Sequence, residues 1–257
     1  MIPFPVPSRR EDLGGTLNDE RRIMTREVEP DTGSASVLAL IPAHNEAQMI
    51  TRVVTGAGAH LPVLVVDDGS TDDTATLAGS AGAAVLRQVP NQGKGEALRA
   101  GFRRALAEGA EAVITLDGDG QHDPAEIPRF LDAYSAGGAG LIIGHRDFRQ
   151  MPLVRRLANW LGRWVFSWAM GQDIRDNQSG YRLVGRRLME AMLAGRESGF
   201  EFEMEMIATC LRNGLVLDWV PIRTIYAGEA SQINNWQHLV NFLRVAWQTR
   251  RAGQGPE

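Results

Sequence analysis

Three oxygen-bearing side chains, Asp117, Asp119 and Gln121, follow a short apolar run in the middle of the chain. The run, residues 112–116, reads Ala-Val-Ile-Thr-Leu and is typical of a buried strand. The glycines between the polar residues let the backbone turn, so that both carboxylates can reach one ion. Oxygen ligands of this kind suit Mg²⁺ or Mn²⁺, which often share their coordination with phosphate groups. Asp-Gly pairs also mark ordinary turns, so the spacing leaves a solvated turn open as well.

Lys94 is a second candidate, because it is the only lysine in the chain. It stands between Gly93 and Gly95, at the start of a helix predicted to run to about Glu108. A lysine placed there suits a phosphate or carboxylate partner. The alternative is that the glycines shape a loop and the lysine is solvated.

Apolar runs alternate with helical patterns along the first half of the chain and would carry these residues. The predicted strands are Val37–Ile41, Val63–Val66, Ala84–Gln88 and Ala112–Leu116. We predict that Pro42 ends the first strand, that Asn45 caps the helix after it, and that Ser70 or Thr71 caps the next helix. The alternation predicts an α/β protein with a single, mostly parallel, Rossmann-like sheet flanked by helices.

In such sheets ligands bind beyond the carboxyl ends of the strands. The polar residues at these predicted ends are His44, Asn45, Glu46, Asp67, Asp68 and the 117–121 loop. We therefore expect three polar loops to meet on one edge of the sheet.

Composition narrows the function classes. The 257 residues are 44% hydrophobic, which is enough for one large core, and the net charge of -4 argues against a nucleic-acid partner. The single cysteine, Cys210, excludes an internal disulfide and is predicted to lie in the core.

Residues 1–34 carry four prolines and no apolar period, which predicts an irregular or mobile arm. No run reaches the roughly 18 apolar residues of a membrane span, and no signal peptide is evident, so we expect a cytoplasmic protein.

Several segments of the chain resemble glycosyltransferase family 2. In the first half they are Pro42-Ala-His44-Asn45-Glu46, Asp67-Asp68-Gly69-Ser70-Thr71-Asp72, Asn91-Gln-Gly93-Lys94-Gly95 and Asp117-Gly-Asp119-Gly-Gln121. In the second half, Gly144-His-Arg146, Asp176–Arg182, Phe200–Glu205 and Tyr226–Ser231 resemble the polyprenyl-phosphate branch, the dolichol-phosphate mannosyltransferases. The resemblance covers roughly residues 37–247. It implies an A-type glycosyltransferase fold, with a catalytic domain over 35–251 and a tail at 252–257.

The resemblance also implies that the two halves of that domain bind different substrates. A nucleotide-sugar half would span about 35–122 and an acceptor half about 123–251. The residues implied for the nucleotide-diphosphate sugar are Pro42, His44, Glu46, Asp68, Lys94 and Asp117. Asp117, Asp119 and Gln121 would hold Mg²⁺ or Mn²⁺ with the diphosphate, and Asp119 would be catalytic. His44 stands where relatives often have tyrosine, which leaves the choice of base open.

The implied reaction is transfer of a hexose, with inversion, to a polyprenyl phosphate of the dolichol or undecaprenyl type. An anionic acceptor requires cations, and the candidates are arginines that cluster in the second half, among them Arg146, Arg149, Arg155, Arg156, Arg163 and Arg182. The predicted acceptor-binding residues are Arg146, Arg156, Ser179, Arg182 and Ser231, although a solvated basic face would explain part of the set. Asp176 is predicted to act as a base or to position the acceptor. Its alternative is a cap before Ser179-Gly180.

Tryptophans suggest contact with a membrane surface. Trp160, Trp164 and Trp168 lie on one predicted helical stripe within 153–170, and residues 235–251 repeat the pattern. Such helices would place the protein peripherally on the inner face of the membrane. Alternatively these helices pack on each other or in a homodimer. A membrane-anchored partner is a further predicted route to the membrane. Three other functions stay open: transfer to a soluble or non-lipid acceptor, a catalytically silent nucleotide-sugar-binding protein, and a nucleotidyltransferase.

Overall fold

The computed structural model describes residues 36–146, 167, 168, 170–195 and 202–223. Within these residues the strands are β1 (Val37–Ala43), β2 (Val63–Asp68), β3 (Ala84–Gln88), β4 (Ala112–Thr115), β5 (Leu141–Arg146), β6 (Arg182–Gly185) and β7 (Leu217–Ile222). The helices are α1 (Ile50–Gly58), α2 (Thr74–Ser80), α3 (Lys94–Ala107), α4 (Ile127–Gly137), α5 (Arg186–Ala194) and α6 (Phe202–Arg212). In this part of the chain, no helix has the length and apolarity needed to cross a bilayer. The predicted arm at 1–34 and the tail at 252–257 lie outside it.

The seven described strands form one sheet in the order β3-β2-β1-β4-β6-β5-β7. Strand β6 runs antiparallel to both of its neighbours, and the other pairs are parallel. The predicted α/β class, with a mostly parallel sheet flanked by helices, is confirmed.

Each face of the sheet buries its own apolar cluster, because successive strand residues point to opposite faces. Leu38 and Leu40 of β1 enter the cluster shared with α3, α5 and α6, which also contains the buried Cys210. Ala39 and Ile41 enter the cluster shared with α1 and α4. With both faces covered, the polar ends of the strands are the places where a ligand can reach the sheet.

Strand β1 is longer than predicted. It continues through Pro42 and Ala43, which pair in register with Val66 and Asp67 of β2. The prediction that Pro42 ends the strand is wrong, because pairing with β4 stops at Leu40 and Pro42 therefore lies beyond that ladder. The extension carries β1 to the edge of the sheet where the polar loops meet.

The predicted helix caps are also wrong. Helix α1 begins at Ile50, whereas Asn45 has a left-handed backbone (φ 58°) and its Oδ1 accepts a hydrogen bond from Thr71 N at 2.9 Å. Ser70 Oγ accepts from Asn45 N at 2.9 Å, and Asp72 Oδ1 is the atom that accepts from Thr74 N where α2 begins. Asn45 and Ser70 therefore bind the loops after β1 and β2 to each other instead of capping their own helices.

Candidate active site

A cavity of about 410 Å³ opens at the carboxyl ends of β1, β2 and β4. Its lining residues are Pro42, Ala43, His44, Glu46, Asp68, Asn91, Gly93, Lys94, Ala97, Asp117, Gly118 and Asp119. All six residues predicted for the donor, together with the predicted catalytic Asp119, therefore lie around one space. Gln121 is exposed and is not in the lining; its backbone N–H donates to Asp119 Oδ1 at 2.9 Å.

Hydrogen bonds fix the side of the cavity formed by β1 and β2. Asn45 Nδ2 lies 3.2 Å from His44 Nε2 and donates to it, so the ring proton is on Nδ1, which donates to the carbonyl of Asp68 at 2.9 Å. The Asp68 carboxylate accepts from the backbone N–H groups of Gln92 and Gly93, at 2.8 and 2.7 Å. In this structure Asp68 shapes the loop that leads into α3.

That loop presents Lys94 at the first position of α3. Its Nζ lies 2.6 Å from Asp117 Oδ1 and 2.9 Å from Glu203 Oε1. The side chains are 42%, 28% and 17% exposed in the order Lys94, Asp117, Glu203, so solvent reaches all three. The ammonium therefore joins the end of β4 in the first half of the chain to the start of α6 in the second half.

The charges of this triad stabilise one another. Burial alone would lower the pKa of the Lys94 ammonium, but the carboxylates of Asp117 and Glu203 outweigh it and raise that pKa above its usual value. Burial would raise the pKa of both carboxyls, but Lys94 holds each of them below its usual value. Near neutral pH the triad is one cation between two anions.

Gly180 brings a second-half loop directly against this triad. A Cβ at Gly180 would lie 2.8 Å from Asp117 Oδ2 and 3.1 Å from Lys94 Nζ, so a larger residue would displace the charged groups. Glycine at this position lets the backbone approach the charged side chains without displacing them. The 176–181 segment therefore closes one side of the space around Asp117.

His122 holds the loop after β4 in place. Its Nδ1 accepts from Asp117 N at 3.1 Å, and its ring packs on Tyr181 with centroids 5.1 Å apart. Burial lowers the pKa of the imidazole, and the negative charge of Asp117 only partly offsets this. A neutral ring with an unprotonated Nδ1 agrees with its acceptor role. His122 therefore stabilises the conformation of the loop after β4.

The donor atoms around the cavity suit a cation that is shared with a ligand. Across the described ranges, no three His, Cys, Asp or Glu side chains are arranged to enclose a metal ion. Mg²⁺ in nucleotide sites is held by one or two carboxylates plus phosphate oxygens, which does not require an enclosure made of protein alone. Asp117 and Asp119 provide that smaller set, so the residues fit the predicted Mg²⁺ or Mn²⁺.

Asp176 is engaged by protein groups. Its carboxylate forms a two-point ion pair with Arg146, with Nε–Oδ2 at 2.8 Å and Nη2–Oδ1 at 3.1 Å. Oδ1 also accepts from the backbone N–H groups of Gln178 and Ser179, at 3.1 Å each. The cap that was the alternative for Asp176 is thus present, and the carboxylate also orients Arg146.

Arg182 is buried and bonded to the backbone. Its guanidinium donates to the carbonyls of Asn177, Ser179 and Glu203, and burial lowers its pKa to about 10. It was predicted to contact the acceptor, but in this structure it positions the 177–179 turn and the start of α6. Ser179 Oγ is buried and has no hydrogen-bond partner among the described residues.

Other sequence-based predictions fall on residues that the structure leaves undescribed. Arg156 and Ser231 are among them, as are Trp160 and Trp164. Trp168 is described and its side chain is 53% exposed.

Two residues of the site were not assigned a role from the sequence: Glu203 and His122. Glu203 lies in one of the quoted motifs, where an acid interrupts an apolar helical run, and that interruption was the available signal. His122 directly follows the polar loop, but its buried ring contacts Tyr181, a residue distant in sequence.

Comparison with known proteins adds a family and relatives. The profile of the family described as glycosyl transferase family 2 matches residues 39–193. The chain is 32% identical to polyprenol monophosphomannose synthase from Mycolicibacterium smegmatis, over 72% of this chain and 76% of that protein. It is also 32% identical to undecaprenyl-phosphate mannosyltransferase from Micrococcus luteus, over 72% of this chain and 82% of that protein.

A solved structure has the same fold at lower sequence identity. Glucosyl-3-phosphoglycerate synthase from Mycobacterium tuberculosis, in complex with Mn²⁺, uridine diphosphate and phosphoglyceric acid, superposes with a TM-score of 0.64. The two are 20% identical, and the match covers 83% of this chain and 79% of that one.

Proposed function

Because the chain belongs to glycosyltransferase family 2, we propose that it transfers a hexose, with inversion, from a nucleotide-diphosphate sugar to a polyprenyl phosphate. The predicted resemblance to this family and to its polyprenyl-phosphate branch is confirmed, as is the A-type glycosyltransferase fold. The chain is a glycosyltransferase. The finer statements, on donor, acceptor, metal and membrane, are proposals argued below.

The observation that carries the proposal is the convergence of three strand ends on one cavity. Asp68 of β2, Lys94 of α3 and Asp117 after β4 face the same space although they are far apart in sequence. One cation among carboxylates at the edge of a parallel sheet is suited to a nucleotide diphosphate brought in with a metal ion. We assign Pro42, His44 and Glu46 to the base and ribose end of that ligand.

Metal dependence follows from the charge that the reaction creates. A divalent cation held by Asp117, Asp119 and Gln121 would neutralise the negative charge that develops on the leaving diphosphate. Asp119 is the residue we assign most directly to this role, because its carboxylate lines the cavity and the structure pairs it only with its own loop among the contacts described.

The acceptor is proposed to enter beside the 176–181 segment. A phosphate monoester has a second pKa of about 6 and is already an anion at neutral pH, so it needs little help from a base. We therefore assign Asp176 to positioning Arg146 rather than to proton abstraction. Arg146, Arg156, Ser179 and Ser231 stay proposed contacts of the acceptor, and Arg182 is proposed to act through the backbone that it holds.

A polyprenyl acceptor places the reaction at a membrane surface. The tryptophan-bearing segments 153–170 and 235–251 are proposed to rest on the inner face of the membrane, alone, as a homodimer or with an anchored partner. Sedimentation with anionic liposomes measures this directly. An enzyme that stays in the supernatant and transfers sugar to a soluble acceptor would favour the soluble-acceptor alternative.

The metal and donor assignments are tested together by calorimetry. We expect Asp119→Ala to lose binding of Mn²⁺ with UDP or GDP, while Asp132→Ala, which removes an exposed carboxylate on α4, leaves it intact. The loop position of Asp119 predicts that the free energy of unfolding changes by no more than about 0.5 kcal/mol. Equal nucleotide affinity in the wild type and Asp119→Ala would remove the metal-site assignment.

A further inference from the structure

The Lys94 ammonium contacts one of the two carboxylates that are proposed to hold the cation. At 2.6 Å from Asp117 Oδ1, it occupies one of the two carboxylates assigned to the metal. A divalent ion bound to the same carboxylate would come within a few ångströms of the ammonium and repel it. Lys94 and the metal therefore compete for Asp117.

Glu203 decides how this competition is balanced. It holds Lys94 from the opposite side at 2.9 Å, and it is itself fixed because its backbone carbonyl accepts from the buried Arg182. Arg99 adds a second contact between the same two helices, because its Nη2 donates to both carboxylate oxygens of Glu205 at 2.9 Å. The start of α6 thus keeps Glu203 within reach of Lys94 whether or not Asp117 is paired.

The net charge of the cluster gives the direction of the effect. Asp117, Asp119 and Glu203 provide three negative charges, which attract an incoming divalent ion. The positive charge of Lys94 lowers that attraction. An incoming diphosphate would provide Lys94 with another anion and release Asp117. Cation and diphosphate would then bind better together than either does alone, beyond the gain from their direct contact.

We propose that Lys94 is a built-in counter-ion of the metal position at Asp117, and that Glu203 is the positioning residue that keeps it there. This inference rests on the metal-dependent function proposed above. With this arrangement, the site binds the divalent cation more tightly together with a diphosphate than by itself.

Opposite effects of two substitutions test the inference. Lys94→Met removes the competitor and is expected to tighten binding of Mn²⁺ alone about tenfold. Glu203→Gln removes a negative charge and leaves Lys94 to Asp117, so it is expected to weaken Mn²⁺ binding several-fold. Arg104→Met is the matched control, because Arg104 is an exposed cation of α3 whose partner is Glu108, and Mn²⁺ affinity should not change.

The readout is calorimetry with Mn²⁺ alone and again with saturating UDP or GDP. In Lys94→Met, the ratio of the Mn²⁺ dissociation constants without and with nucleotide should fall below the wild-type ratio. If Lys94→Met leaves binding of Mn²⁺ alone unchanged or weaker, the inference is wrong, even where the wild type binds Mn²⁺ with nucleotide as proposed. If the wild type binds no nucleotide with Mn²⁺, the proposed function fails instead.

The wild type allows a second test that depends on no variant. Since Lys94 is the only lysine, protein labelled with ¹⁵N-lysine gives a single side-chain Nζ resonance. Mg²⁺ is diamagnetic, and titration with Mg²⁺ and UDP should move this resonance with the affinity that calorimetry gives. A resonance that stays in place while calorimetry shows the site saturated would overturn the inference.

Discussion

The loop after β4 and the segment 176–182 meet where Gly180 approaches Asp117, but the charged side chains of the two segments have opposite environments. After β4, Asp117 is 28% exposed and Asp119 lines the cavity, so both carboxylates are accessible to a ligand. In the second segment, Asp176 and Arg182 are each 1% exposed and bind protein groups. Charges of the first kind are expected to serve ligand binding, and charges of the second kind to serve the fold.

Topology explains the difference. Parallel strands deliver their carboxyl ends to one edge with the backbone already paired, so side chains there are free to face a ligand. Strand β6 instead runs antiparallel between β4 and β5, and the segment before it passes close to Asp117 and Lys94. Buried ion pairs and arginine–carbonyl bonds hold that turn, and breaking them leaves an uncompensated buried charge.

Arg182→Met gives the largest expected effect and tests the structural half of the comparison. The variant loses bonds to three carbonyls and leaves Glu203 and Asp176 with less compensation, so the free energy of unfolding should fall by about 3–5 kcal/mol. Urea unfolding measures it, with the exposed Arg187→Met as control. A loss below about 1 kcal/mol would mean that the segment does not depend on this residue.

Arg146→Ala tests whether the second segment also contributes to binding. The Arg146 side chain is 23% exposed, whereas that of its partner Asp176 is 1% exposed, so solvent reaches part of Arg146. We expect the KM for a polyprenyl phosphate to rise about tenfold while the KM for the donor changes little. Steady-state kinetics provides both constants, with Arg103→Ala on α3 as control. Equal rises in the two constants would assign Arg146 to structure alone.

Gly180→Ala tests the contact between the two regions. The new methyl group would push on Asp117 and Lys94, whose charged ends can move, so the fold should lose only about 1 kcal/mol. The affinity for Mn²⁺ with UDP or GDP should nevertheless fall about tenfold. Gly137→Ala is the control, because a Cβ there meets nothing within 4 Å. Unchanged nucleotide affinity would separate the segment from the donor site.

The smallest effect concerns His122 and pH. Burial holds the pKa of its imidazole below the usual 6.5, so the unfolded chain takes up this proton at a higher pH than the folded chain. Stability should therefore fall as the pH drops from 6.5 through the folded pKa. In His122→Asn, which keeps an acceptor for Asp117 N, this part of the pH dependence should vanish when urea unfolding is compared at about pH 7.5 and about pH 5.5. The same slope in both proteins would contradict it.

The donor edge could be predicted from the sequence because its rules are local. Strands with apolar periodicity, each followed by polar residues, suffice to bring His44, Asp68 and Asp117 together once the sheet is parallel. The caps at Asn45 and Ser70 were wrong because each side chain binds the neighbouring loop, which local propensity does not contain.

The acceptor side was less accessible to prediction, since its contacts join distant segments. Arg146 meets Asp176 across 30 residues, and Lys94 meets Glu203 across more than a hundred. An arginine in a polar motif therefore looks the same from the sequence whether it binds a ligand, as proposed for Arg146, or holds carbonyls, as Arg182 does. Which of these two roles an arginine takes depends on the tertiary contacts that form when β6 pairs with strands from both halves of the chain.

The central claim is that the protein transfers sugar from a nucleotide donor, bound in the cavity at the ends of β1, β2 and β4, to a lipid phosphate that enters beside the segment 176–182. The direct test incubates the protein with labelled UDP- and GDP-hexoses, Mn²⁺ and a short-chain polyprenyl phosphate, and then extracts the lipid. We predict label in the lipid fraction with one of these donors, lost without Mn²⁺ and in Asp119→Ala but kept in Asp132→Ala. Donor binding without any label in the lipid fraction, or transfer that is indifferent to Mn²⁺ and Asp119, would contradict the account.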